Sequence, residues 1–161
     1  MKQDRFLIGI LVFIGVLVVA ALVLFFVRPE TISYQPEDTP AGIVYNFALA
    51  VQSKDMDRAY GYLADQEYKP SRTAFRQAIL NNYLYTEGYA LQVDETRILD
   101  EDEAWMSVSV HYLSSGPFDS GWTNQDHASL VRQNGKWKLN YMPYPYWSYD
   151  WFQPPYDTTV P

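Results

Sequence analysis

The best candidate for acid–base chemistry in this chain is Asp126. The stretch Trp122–Gln133 reads as a strand. In a regular strand Asp126 shares a face with Trp122, Asn124, Ala128 and Leu130. A carboxylate on that partly apolar face would lose water, and its pKa would rise, the condition a general base needs. At a bulge or an open rim it would stay solvated instead. The histidines offer less. His111 and His127 fall on different strands, in step with polar neighbours, and two isolated imidazoles have no metal-ligand spacing. Asp100–Glu103 lacks the spaced oxygen ligands and central Gly of a calcium loop, and reads as a hairpin turn. The chain has no cysteine, which removes thiol catalysis, disulfides and Cys-ligated zinc. No phosphate-cradling loop or nucleophile elbow occurs. No metal and no cofactor is expected.

A second kind of chemistry is recognition. Eight of the sixteen residues from Tyr141 to Tyr156 are aromatic. Pro143, Pro145, Pro154 and Pro155 bar a regular helix and disfavour a central strand. Tyr144, Tyr146, Trp147, Trp151 and Phe152 are therefore candidate contacts for a protein partner or a ligand, because Tyr and Trp combine apolar area with a polar handle. The competing reading is that this segment folds back and plugs the domain.

These residues are positioned by a plain succession of elements. Phe6–Val27 carries no charged side chain. At about 1.5 Å per residue it would form a helix roughly 33 Å long, near the thickness of a hydrocarbon core. The expectation is a retained transmembrane helix at 6–27 after a cytoplasmic N-terminus at 1–5. Residues 28–39 read as a linker. Thr39 then caps a helix with Pro40 at its first position, and Ile43, Val44, Phe47, Ala48 and Val51 form its apolar face. Asp55 caps a short second helix with Met56, Ala59, Tyr60 and Leu63 on one side. Ser71 caps a third, with Phe75, Ile79, Leu80 and Tyr83 inward. The period then drops to two. Strands are expected at Tyr89–Leu99, Glu103–Leu113, Trp122–Gln133 and Lys136–Met142, with Trp137, Leu139 and Tyr141 on one face of the last. Asn134-Gly135 is a type I′ hairpin signal.

Helices first and antiparallel strands second imply an α+β domain, helices on one face of a curved four-stranded sheet. Residues 29–161 hold 9 Lys/Arg against 18 Asp/Glu, a net of −9. Nucleic-acid partners need positive patches and are not expected.

The opening TPAGIVYNFALAVQSKDMDRAYGYLA, with Lys54-Asp55-Met56-Asp57-Arg58-Ala59 at its turn, and the closing hairpin LVRQNGKWKLNYM resemble the nuclear transport factor 2-like superfamily. That family has the cone-shaped fold of ketosteroid isomerase. The resemblance covers about Pro40–Met142 and implies a cone of three helices on four strands, with 143–161 as an aromatic tail. It also implies a pocket between helices and sheet. There Asp126 would act as base and Tyr45 and Tyr60 as oxyanion donors. The fold hosts enzymes and binders alike. The expected function is a single-pass, membrane-anchored envelope protein with an extracytoplasmic domain that binds a protein or a small apolar ligand without catalysis. The alternative is an isomerase- or hydrolase-like enzyme using the cone pocket.

Overall fold

A computed structural model describes residues 5–27, 33–81, 84–113, 116 and 120–154, with side chains of the first stretch described for 8–23. The chain divides into two compact units, Met1–Ser33 and Tyr34–Pro161.

The first unit contains one helix, α1 (Arg5–Val27), whose large apolar side chains such as Leu11 and Phe13 are exposed. Among the described residues no helix is long and apolar enough to cross a membrane. This corrects the transmembrane assignment of 6–27. It also corrects the single-pass localisation, with a cytoplasmic N-terminus and an extracytoplasmic domain, that was built on that assignment.

The second unit is α+β. Its helices are α2 (Pro40–Gln52), α3 (Met56–Gly61) and α4 (Arg72–Leu80), and its strands are β1 (Tyr89–Ile98), β2 (Glu103–Tyr112), β3 (Trp122–Gln133) and β4 (Lys136–Tyr141). Each helix starts where its capping residue stands. The side chains of Thr39, Asp55 and Ser71 accept from the backbone N–H groups of Gly42, Arg58 and Ala74. Each satisfies a donor that the first turn would otherwise leave bare. The expected inward position of Tyr83 lies outside the described residues.

The sheet is antiparallel, in the order β1-β2-β3-β4. Asn134 and Gly135 both take positive φ (53° and 77°), the type I′ geometry that joins β3 to β4. The apolar face of α2 packs on the buried face of β2, where Ala104, Met106, Val108 and Val110 are all fully buried. Two register shifts interrupt the ladders. One skips Asp94 in β1. The other pairs Leu130 with Leu139 but Ser129 with Tyr141, so Asn140 is the extra residue. A bulge of this kind flips the residue beyond it. Tyr141 therefore leaves the face of Trp137 and Leu139 and meets the His127 ring at 5.0 Å.

The outer edge of β4 is partly covered. Leu139 donates to the Tyr62 carbonyl and accepts from the Ala64 N–H, both at 2.8 Å, so the chain leaving α3 pairs with the edge strand. Before α2, residues 34–39 lie against the helix. Fully buried Asn46 clamps Gln35, accepting from its N–H at 2.7 Å and donating to its carbonyl at 2.8 Å.

Candidate functional site

Asp126 stands where strand alternation puts it, opposite Val108 on the inner face of the sheet. Its surroundings differ from those of a buried base. β4 pairs with β3 only from Ser129 onward, which leaves Trp122–Ala128 without a ladder partner on that side. Asp126 compensates locally: its Oδ1 accepts from the His127 N–H at 2.7 Å and lies 3.1 Å from His127 Nδ1. Its side chain keeps 29% of its exposure. The His127 ring stacks on Trp105 at 4.7 Å. Tyr60 is turned elsewhere, its hydroxyl donating to the Pro70 carbonyl at 3.0 Å and its ring edge-on to Phe75. Tyr45 is half-buried. Of the three candidates only Tyr60 lines any of the four main cavities. The geometry does not gather a base and two donors around one space.

The remaining polar candidates resolve simply. His111 Nδ1 lies 2.9 Å from the Thr123 hydroxyl on the next strand. Asp100 Oδ1 accepts from the N–H groups of Asp102 and Glu103, which makes the acidic run a closed hairpin turn. Among the described residues no group of three or more potential ligands could hold a metal.

The aromatic segment after Met142 is packed, not loose. Tyr146 is fully buried, and Trp147 and Trp151 are nearly so. The Trp147 and Trp151 rings join Phe47 and Phe75 in one aromatic cluster, with Phe47–Trp147 at 6.1 Å, Phe75–Trp151 at 5.0 Å and Trp147–Trp151 at 5.1 Å. Half-buried Phe152 stacks on Trp147 and donates its backbone N–H to the Tyr68 carbonyl. Tyr144 and Tyr149 remain exposed, at 46% and 78%. They border a cleft of about 690 Å³ between α4 and this segment, with Trp147 and Trp151 as its inner wall and Gln77, Asn81, Ser148 and Asp150 among its polar groups. A second hollow of about 380 Å³ is lined by Tyr144, Trp147, Tyr149 and Trp151 as well, with Tyr141 and Phe152.

The Tyr146 hydroxyl accepts from Gln52 Nε2 at 3.0 Å, and burial pushes its pKa up to about 12 from the ordinary value of 10. A tyrosine raised in the folded state contributes stability that is complete below about pH 10 and lost as pH climbs through about 12. Two pKa units correspond to roughly 2–3 kcal/mol. Urea unfolding at pH 8 and pH 11.5 should therefore show Tyr146→Phe gaining on the wild type at the higher pH. Equal losses in both proteins would place this titration elsewhere.

A third site was not visible in the sequence. Glu37 Oε1 accepts from the Tyr62 hydroxyl at 2.7 Å and from Arg58 Nη2 at 3.0 Å, while Arg58 Nε donates to Tyr62. The Arg58 guanidinium also lies 3.5 Å over the Tyr34 ring. These bonds hold the Glu37 carboxyl below its usual range, the Tyr62 bond contributing most. Burial raises Tyr62. The group borders a cavity of about 480 Å³ that also takes in Lys136, Trp137 and Lys138 from β4. The only sequence signal was the i, i+4 spacing of Arg58 and Tyr62. Glu37 sits far off in the stretch read as linker.

No protein-family model and no curated protein matches this chain. Among solved structures it is similar to an NTF-2 like protein of unknown function from Shewanella oneidensis, at 13% identity over 65% of this chain and 94% of that one, TM-score 0.47. It is also similar to a cystatin-like fold protein of unknown function from Nostoc punctiforme, at 15% identity over 62% and 81%, TM-score 0.47. A ketosteroid isomerase-like protein from Erwinia carotovora atroseptica matches at 13% identity over 62% and 86%, TM-score 0.43. Likenesses at this level carry no activity, ligand or partner over to this chain. The site has to be read from its own residues.

Proposed function

We propose that the second unit is a non-catalytic binding module whose recognition surface is the aromatic cleft between α4 and the C-terminal segment. One observation carries this reading. The segment's own rings, with Tyr146 fully buried, fill the interior, while Tyr144 and Tyr149 leave faces open on a cleft of about 690 Å³.

The lining suggests the ligand class. Aromatic faces stand beside neutral amides and a hydroxyl, with Asp150 as the charged group and no Lys or Arg. That composition suits the C–H face and hydroxyl rim of a neutral oligosaccharide. An anionic ligand would meet an uncompensated carboxylate. Against the enzymatic alternative stands the absence of Asp126 from the linings of the four cavities described above.

Calorimetric titration with cellopentaose and chitopentaose tests the proposal. Binding to either is expected, weakened about tenfold by Tyr149→Ala, a loss of about 1.4 kcal/mol. Tyr149 is 78% exposed, so that variant should melt with the wild type. A proline-rich decapeptide bound in place of both sugars would replace the saccharide by a peptide. Failure of all three to bind would sink the module.

A further inference from the structure

We infer that the cavity beside the β3–β4 hairpin is a second, separate ligand site, one for a small organic monoanion with a flat apolar body. It starts from the alternation of β4. Trp137 and Leu139 are buried, so Lys136 and Lys138 come to the opposite side of an edge strand. The chain leaving α3 crosses that edge and brings the Gly61 carbonyl onto Lys138 Nζ. The ammonium is thereby held in a half-buried position with a neutral partner. Among the described residues neither Lys136 nor Lys138 has a carboxylate within ion-pair distance. Burial, with Lys69 and Lys136 nearby, lowers the proton affinity of Lys138, and the charges of Asp65 and Glu37 offset only part of that.

The obvious internal counter-ion is already taken. Glu37 lines the same cavity, but Arg58 and the Tyr62 hydroxyl occupy it. What is left is two lysines against Asp38, a net of one positive charge in a chain whose total is −7. One excess charge matches a monoanion, and Asp38 repels anything more highly charged. Ile43, Tyr62 and Trp137 supply an apolar floor in a space of about 480 Å³. An ammonium at the rim of an apolar pocket distinguishes a carboxylate from its neutral isostere, because only the charged ligand offsets the cost of desolvating the lysine.

The test uses the full chain and two probes of the same shape, 2-naphthoate and 2-naphthamide, followed by calorimetry and by Trp fluorescence. The acid is expected to bind at least tenfold more tightly than the amide. Lys138→Met keeps the aliphatic stem, removes the charge and should abolish that preference. Lys136→Met, at an exposed position that cannot upset the fold, should weaken it severalfold. Tyr149→Ala should leave naphthoate binding unchanged, which keeps this site distinct from the aromatic cleft. Equal affinity for acid and amide, no binding of naphthoate at millimolar concentration, or a preference that survives both lysine substitutions would overturn the assignment.

Discussion

Ending the chain after Met142 is expected to leave residues 34–142 without a stable fold. The aromatic segment contributes three of the largest buried side chains, Tyr146, Trp147 and Trp151. Truncating one buried aromatic side chain costs about 3–5 kcal/mol, partly from the lost burial and partly from the cavity left behind. A domain of this size has only about 5–15 kcal/mol in total. The losses cannot simply be summed, because the Trp147 and Trp151 rings touch each other and are coupled. Even the smaller change Tyr146→Ala should lower the urea midpoint without altering the slope by much. The measurement is far-UV circular dichroism of the truncated chain against the full one, with urea titration of the point variant. A truncated protein that melts with the full-length chain would show that the rings are an accessory surface, and the description of them as core would be wrong.

Gly42→Ala is expected to destabilise the domain by about 1–3 kcal/mol, against the helix propensities of the two residues. On propensity alone the substitution would stabilise a helix interior by about 1 kcal/mol, and less in the first turn, where Gly42 stands. Here a Cβ on Gly42 would lie 1.9 Å from the Pro36 carbonyl oxygen and 3.0 Å from the Thr39 hydroxyl. The first contact is with backbone and cannot be relieved by a rotamer change. The segment 34–39 must lift off α2. That breaks the two hydrogen bonds between Gln35 and Asn46 and leaves a fully buried amide unsatisfied. It also loosens the docking of Glu37, on which the Arg58–Tyr62 network depends. Thermal melting and limited proteolysis between residues 28 and 39 read the two consequences. A rise in melting temperature would mean that propensity wins and that the segment yields at no cost.

How much of this was legible in advance follows from the range of each interaction. The caps at Thr39, Asp55 and Ser71 reach three residues along the chain, so short sequence windows reveal them. The alternation of Met106, Val108 and Val110, and the turn at Asn134-Gly135, are equally local. The inner-face position of Asp126 was read correctly from period two. Its exposure was left open between a desolvated face and an open rim, because that depends on where β4 stops pairing, and the bulge at Asn140 leaves no trace in a hydrophobic pattern. The same bulge moved Tyr141 to His127. The apolar run at 6–27 illustrates the opposite hazard. Composition suggested a span, whereas no helix among the described residues meets the length and apolarity of one.

The sequence by itself determined the order and type of the elements in the second unit, their starts and most of their apolar faces, since helix and strand periodicities and capping act within a few residues; Leu80, expected inward on α4, is instead exposed at the end of that helix. Tertiary structure alone decided which polar groups meet. Glu37 and Tyr62 are 25 residues apart, and Lys138 and Gly61 are 77 apart. Tertiary structure alone also decided that Tyr146 closes the core while Tyr149 stays open to solvent. Two tyrosines three residues apart are alike in any local reading, and only the packing of a distant helix and sheet separates them.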